Sequence, residues 1–158
     1  GMVVRYYHDA VGVNSRLDSI QAAVLDAKLP HLNEYIAARQ TAADYYDKAF
    51  AGNSHVLIPA RSNNSTHVFH QYTLRLIDVD RNALRNALAE AGIPAMIYYP
   101  VPLHMQKAYQ DSRYQAGAFP VAERLADCVL SLPMHTELDE EQLAYITEHV
   151  LQFLTAKH

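Results

Sequence analysis

The stretch GVNSRLDSIQAAVLDAKL, residues 12–29, joins a short polar loop to a strongly patterned amphipathic segment. Asp18 precedes Gln21 by three residues, the spacing of a capping box, in which the aspartate accepts a backbone N–H and the glutamine reaches back. The sequence therefore predicts a helix that begins at Asp18. Apolar side chains recur at helical spacing from Ile20 to Leu32, and a stripe this wide predicts that the helix is heavily buried.

The loop before this helix contains an amide, a hydroxyl and a guanidinium at Asn14, Ser15 and Arg16. Backbone N–H groups and the helix dipole favour anions at a helix N-terminus. These residues can therefore hold a phosphate or a carboxylate. An ordinary loop, in which Asn14 and Ser15 make local turn hydrogen bonds, is the commoner explanation of such residues. The loop residues alone leave both interpretations open.

The helical pattern continues beyond this segment. Pro30 lacks a backbone donor and crowds the preceding turn, so we expect a kink near Leu29. A second helical run follows until Gly52 supplies a stop. Residues 16–51 are thus predicted to form one long, kinked connecting helix.

The middle of the chain predicts a small sheet. Residues 68–77 alternate between apolar and polar side chains, as a strand does. Residues 93–99 and 128–132 predict two further strands. Val56–Ile58 is only a brief apolar piece before a polar surface loop.

Further helices are predicted between and after these strands. Asp80 caps a helix that Gly92 closes, and Pro120 starts a short one. Asp139 with Gln142 repeats the capping-box spacing. The order of elements predicts an α/β fold of the α+β two-layer type, in which helices cover a small three-stranded sheet.

Composition sets broad limits on function. At 158 residues, half of them apolar, the chain predicts one domain over residues 1–158. A net charge of −4 without a basic run argues against nucleic acid or an anionic membrane as the main partner. No apolar run approaches the roughly 20 residues of a spanning helix. The lone Cys128 fits a reducing compartment, so we expect a cytoplasmic protein. Gly1, directly before Met2, is interpreted as a scar of tag removal.

Four blocks occur in a fixed order: GVNSRLDSIQAAVLDAKL (12–29), HVFHQYTLRL (67–76), GIPAMIYYPVPLHMQKAY (92–109) and VLSLPMHTEL (129–138). Together they resemble the C-terminal part of the DegT/DnrJ/EryC1/StrS family of pyridoxal-phosphate (PLP) sugar aminotransferases, over nearly the whole chain. The resemblance implies the small C-terminal domain of a fold type I PLP enzyme, packed against a large PLP-binding domain. We therefore expect an exposed apolar patch on the first helix, where that domain packs.

The resemblance also implies binding residues. Asn14 stands where the family's loop reaches across a dimer interface to the PLP phosphate of the neighbouring subunit. Arg16 would hold that loop or an anionic substrate group, and a salt bridge within the fold is an equal alternative. Tyr98, Tyr99 and His104 flank a proline-stiffened turn that lines the sugar-nucleotide end of the family's active site. A rigid strand terminus explains the same turn.

Three weaker candidates come from residue types. His70 and Tyr72 share a predicted strand face and could contact one ligand, although a core histidine beside a packed tyrosine is the commoner arrangement. Nine histidines suggest a metal, but no known metal-motif spacing occurs, so no metal site is predicted. Cys128 is interpreted as a buried structural thiol.

The family's Schiff-base lysine lies upstream of the first block, in the large domain. The lysines of this chain are all interpreted as solvated surface residues: Lys28, Lys48, Lys107 and Lys157. We therefore expect no catalytic residue and no bound PLP in this fragment alone, although the full-length protein would carry PLP.

The predicted function is that of the C-terminal domain of a homodimeric aminotransferase. The enzyme would move an amino group from an amino acid, glutamate, to a nucleotide-linked keto sugar. The alternative is a non-catalytic stand-alone or regulatory PLP-fold domain. An unrelated α/β binding module is a more distant possibility.

Overall fold

The computed structural model describes residues 2–156, apart from the side chain of Val3. The interpretations of Gly1 and Lys157 lie outside this range. Five strands and five helices follow each other in the order β1 (Met2–Val4), β2 (Tyr7–His8), α1 (Ser19–Lys28), α2 (Leu32–Phe50), β3 (Val56–Leu57), β4 (Tyr72–Leu76), α3 (Arg81–Glu90), α4 (Pro120–Cys128), β5 (Val129–Leu132) and α5 (Glu140–Thr155). Short 3₁₀ turns occupy Leu29–His31, Leu103–Met105 and Lys107–Tyr109.

The main sheet has the order β3-β4-β5, and both pairings are antiparallel. Helices cover it, which confirms the α+β two-layer class. The identity of the third strand was predicted wrongly. Residues 93–99 contribute only an isolated bridge between Met96 and Ser131, and the third strand is β3 instead. Pro94 lacks an N–H and cannot donate to a strand ladder at the start of this segment.

Strand β4 is shorter than predicted. Phe69 has a φ of +45°, which interrupts the extended backbone, and the strand begins only at Tyr72. As a result His70 is exposed while Tyr72 is completely buried. The prediction that these two residues share a strand face is therefore wrong.

The core lies between the sheet and the helices. β4 contributes Tyr72, Leu74 and Leu76, each at most 4% exposed. Burying a large apolar side chain contributes about 1.5–3 kcal/mol, so this layer accounts for much of the stability of the fold. The helices contribute Tyr46 and Phe50 from α2, Leu84 and Leu88 from α3, and Leu143, Ile146 and Val150 from α5.

The predicted helix boundaries are largely confirmed. Asp18 accepts the Gln21 N–H at 2.8 Å, and α1 begins at the next residue. The capping box of Asp139 and Gln142 is complete in both directions. At the predicted kink, Pro30 lies in the 3₁₀ turn that separates α1 from α2. Gly52, with a φ of +73°, follows α2.

The predicted burial of α1 is wrong for this chain, because no residue of α1 is buried. Ile20 is 80% exposed, and Val24 and Leu25 are more than half exposed. The predicted exposed apolar patch is thereby confirmed. We use the name α1 apolar face for the exposed apolar side chains of α1 and its two flanks, which are Leu17, Ile20, Val24, Leu25 and Leu29. Between residues 2 and 156, no helix combines the length and the apolar character that crossing a bilayer requires.

Candidate functional site

The β1–β2 hairpin is fastened to the rest of the fold by Gln106. The Gln106 amide donates to the Tyr6 carbonyl at 2.8 Å and accepts the His8 N–H at 2.9 Å. The side chain is nearly inaccessible, since Gln106 is 7% exposed. Sequence reasoning missed this residue, although its place inside the block at residues 92–109 was an available signal.

Docking of the hairpin creates a cluster of three tyrosines. The Tyr6 ring meets Tyr98 at 5.7 Å and Tyr99 at 5.4 Å between centroids, both edge to face, a favourable arrangement for aromatic rings. The Arg5 guanidinium lies 5.0 Å from the Tyr6 ring centroid. Burial and the neighbouring Tyr6 hydroxyl raise the pKa of Tyr98. The Tyr98 phenol is therefore neutral at neutral pH.

His104 is held by a carboxylate that sequence reasoning did not identify. His104 Nε2 lies 3.0 Å from Glu123 Oε1, and the histidine side chain is 9% exposed. The Glu123 carboxylate also accepts the N–H groups of Gly117 and Phe119. The bonds from these two backbone N–H groups, followed by the contact with His104, lower the pKa of Glu123. The carboxylate is thus ionised at neutral pH and fixes the histidine against α4.

The remaining pair of predicted substrate residues is separated. The Tyr72 hydroxyl donates to Asp47 Oδ1 at 2.6 Å, and its ring lies 4.9 Å from that of Tyr46. Burial, and then the Asp47 carboxylate, raise the pKa of Tyr72. Tyr72 is therefore a hydrogen-bonded core residue, while His70 lies at the surface beside a shallow pocket that His67 also lines.

The loop that contains Asn14 and Arg16 lies fully at the surface. Within residues 2–156 neither side chain makes a hydrogen bond or an ion pair, so the salt bridge considered for Arg16 is not formed. Asn14 and Arg16 stand four and two residues before the Asp18 cap of α1. An amide and a guanidinium are therefore free beside a helix N-terminus.

The three described lysines agree with the surface interpretation. Lys28 and Lys48 are exposed on α1 and α2. Lys107 is also exposed and forms an ion pair with Asp9 at 3.1 Å, which links the loop after the hairpin to the turn after His104.

Among the described residues, no three His, Cys, Asp or Glu side chains are grouped so that they could hold a metal ion. Cys128 is half-buried at the end of α4, not buried within a strand as predicted.

Comparison with known proteins places this geometry in context. The profile of the DegT/DnrJ/EryC1/StrS aminotransferase family matches residues 1–151. A protein of Geobacillus stearothermophilus named pleiotropic regulatory protein is 42% identical over 155 residues, which are 97% of this chain and 41% of that protein. The UDP-N-acetyl-3-dehydro-alpha-D-glucosamine 3-aminotransferase of Acidithiobacillus ferrooxidans is 46% identical over 142 residues, 89% of this chain and 37% of the enzyme.

A solved structure gives the same result. The crystal structure of Streptomyces venezuelae DesV, in complex with a ketimine intermediate, superposes with a TM-score of 0.84 at 34% identity and covers 100% of this chain and 42% of DesV. The chain thus spans about two fifths of the length of the relatives that it matches. The profile match over 151 residues, together with this fold, identifies the chain as a member of the DegT/DnrJ/EryC1/StrS aminotransferase family.

Proposed function

We propose that the chain is the C-terminal domain of a homodimeric, cytoplasmic, PLP-dependent aminotransferase. This enzyme moves an amino group from glutamate to a keto sugar attached to a nucleotide. One observation carries the proposal: the family match covers residues 1–151, while the chain spans only 37–41% of two of its relatives, one of which is named as a sugar-nucleotide aminotransferase.

The α1 apolar face supports the presence of a large domain. Ile20 and Val24 on α1 are 80% and 53% exposed, and Leu29, directly after the helix, is 65% exposed. Exposed apolar patches of this kind mark interaction surfaces. The large domain is the natural partner in the proposal, because α1 directly follows the loop assigned to the cofactor.

The loop of Asn14 and Arg16 is assigned to the PLP phosphate of the neighbouring subunit. Both side chains are exposed and unbonded within residues 2–156, and both lie beside the N-terminus of α1. Amide and guanidinium donors at a helix N-terminus suit a phosphate. When bound, PLP supplies an electron sink for amino transfer, and a lysine holds it covalently. Lys28, Lys48 and Lys107 are all exposed, so we assign this lysine to the large domain.

The tyrosine cluster and His104 are assigned to the substrate. Contacts with Tyr6 restrict the rings of Tyr98 and Tyr99, whose hydroxyls can donate to sugar or phosphate oxygens. Glu123 holds the His104 ring in one orientation. The role of this chain is thus to bind and orient the sugar nucleotide.

The test uses the full-length protein. We expect amino transfer from glutamate to a nucleotide-linked keto sugar, and weaker PLP binding in Asn14→Ala and Arg16→Gln, measured from the cofactor's absorbance. Arg124→Gln, on the exposed side of α4, is the control for loss of one positive charge. A full-length protein that binds no PLP would refute the proposal.

The second candidate function is regulatory. It is favoured by the 42% identity to a protein named pleiotropic regulatory protein. The same experiment separates the two functions, because a regulatory relative would bind PLP and transfer no amino group to any keto sugar tested.

A further inference from the structure

A pocket of about 350 Å³ lies where the first half of α5 meets the turn that follows α3. Its apolar lining comes from three segments, which are the turn after α3, the loop before α5 and α5 itself: Ile93, Pro94, Pro133, Leu138, Tyr145 and Ile146. Ile93 and Ile146 are 3% and 5% exposed, so the pocket ends on the hydrophobic core. Among the described residues that line it, none is a lysine or an arginine.

The walls of this pocket are held in place by contacts within the chain. The Tyr145 hydroxyl donates to the Ala91 carbonyl at 3.1 Å, and the Tyr145 ring lies 4.1 Å from that of His149 between centroids. Pro133 is fixed to the core, because its carbonyl accepts the Tyr46 hydroxyl at 2.9 Å. The pocket is therefore largely formed before any ligand binds, as small-molecule sites usually are.

One carboxylate stands at the edge of the pocket without a partner. Glu141 lies one turn before Tyr145 on α5 and also lines the pocket. Its side chain is exposed and, within residues 2–156, makes no hydrogen bond or ion pair. The helix dipole favours a carboxylate in this first turn of α5, which explains the residue type but leaves the charge unpaired. The other ring at the edge, His135, accepts the Glu137 N–H at Nδ1 at 3.2 Å, so its neutral form carries a proton on Nε2.

We propose that this pocket binds a small aromatic amine, with the ring against the apolar walls and the ammonium group at Glu141. Aromatic rings pack favourably against one another, and Tyr145 offers a ring at the wall. An ammonium group forms a charge-assisted hydrogen bond with an unpaired carboxylate. The volume lies at the lower end of the range for ligand sites, which suits one or two fused rings. None of the residues assigned to PLP or to the sugar nucleotide lines the pocket, so binding here is independent of amino transfer.

The test is a titration of the 158-residue chain with tryptamine, followed by amide chemical shifts in NMR spectra at about pH 7.5, where an aliphatic amine is protonated. A second titration uses indoleacetate, which presents the same ring system with a carboxylate in place of the amine. We expect tryptamine to shift the amides of Ile93, Tyr145 and Ile146 and to bind more tightly than indoleacetate, which Glu141 repels. Added salt should narrow the difference, because an exposed charge is screened.

Glu141→Lys is the main variant, because reversing an exposed charge should reverse the preference and leave the fold intact. Tryptamine should then bind at least about twofold more weakly, since repulsion replaces an exposed ion pair. Indoleacetate should bind more tightly than tryptamine. The matched control is Glu148→Lys, which makes the same change of charge at another exposed position of α5, outside the pocket. This control should keep the preference for tryptamine.

Saturable shifts of the lining amides with tryptamine, together with a reversed preference in Glu141→Lys but not in Glu148→Lys, would support the assignment. Unchanged lining amides at about 10 mM tryptamine, shifts confined to the α1 apolar face, or the same preference in both variants would overturn it. Loss of tryptamine binding in the full-length protein would also overturn it, because another part of the protein would then fill the pocket.

Discussion

Helices α1 and α2 have similar sequence patterns but lie in opposite environments. Both carry apolar side chains at helical spacing. In the second half of α2, Ala43, Tyr46 and Phe50 are at most 1% exposed, whereas Ile20 on α1 is 80% exposed. An apolar stripe therefore indicates that a helix face will be covered, but it does not say whether the covering partner belongs to the same chain.

The largest expected effect tests this contrast directly. Leu74→Ala removes a completely buried side chain at the centre of β4 and should lower the free energy of unfolding by about 2–5 kcal/mol, through lost burial and the cavity left behind. Ile20→Ala truncates an aliphatic side chain on the α1 apolar face and should change it by about 0.5 kcal/mol or less. Urea denaturation of the isolated chain measures both.

Similar losses of unfolding free energy in Leu74→Ala and Ile20→Ala would contradict the contrast between the buried and the exposed helix. Such losses would require Ile20 to be packed within this chain. The comparison is sharpened if Ile20→Ala becomes strongly destabilising in the full-length protein. That result would place a covering surface on α1.

Local sequence signals predicted the parts of the fold that depend on neighbouring residues. The caps at Asp18, Asp80 and Asp139 and the break at Pro30 follow from side chains within a few positions of each helix end. The class of the fold followed from the order of these elements.

These local signals could not predict features that depend on contacts between residues distant in sequence. The pairing of Val56–Leu57 with β4 depends on a contact across about 20 residues, and phenylalanine is not a residue type that favours the positive φ found at Phe69. Likewise the clamps made by Gln106 and Glu123 join residues far apart in sequence, and single polar residues carry no periodicity. Sequence therefore identified Tyr98, Tyr99 and His104 as candidates but not the residues that hold them.

The next effect concerns a polar bond inside the core. Tyr72→Phe removes the bond to Asp47, whose side chain is 22% exposed, and should cost about 1.5–3 kcal/mol, the range for bonds to charged groups. Tyr99→Phe, at a ring that is 60% exposed, is the matched control and should have little effect.

A raised pKa of Tyr72 also implies stability that is present below pH 10.0 and is lost above it. Tyr72→Phe should therefore reduce the sensitivity of the chain to alkali, and unchanged sensitivity would contradict this.

A smaller effect is expected for Glu123→Gln, which alters the carboxylate that holds His104. The effect is smaller because a glutamine at this position keeps one acceptor oxygen for the two backbone N–H groups. The pKa of Glu123 is lowered from 4.5, so the folded state favours the carboxylate. Its stabilisation is complete above pH 4.5 and is lost as the pH falls through the lower folded-state value. Thermal unfolding between acidic and neutral pH should show this loss in the unmodified chain and a weaker dependence in Glu123→Gln. Glu148→Gln, exposed on α5, should behave as the unmodified chain does.

The smallest expected effect on global stability lies at the boundary between the buried and exposed regions. Gln106→Ala removes both hydrogen bonds that hold the hairpin and should cost about 1 kcal/mol. The loss should be local, since Met2, Val4 and Tyr7 are all about half exposed or more and the hairpin contributes little to the core. Hydrogen exchange at the His8 amide should therefore accelerate while amides in β4 keep their protection. Gln110→Ala, at an exposed glutamine four residues away, is the control. If β4 loses protection together with His8, the hairpin unfolds cooperatively with the core. The contrast between a buried core and an exposed region that needs a partner would then not apply to the hairpin.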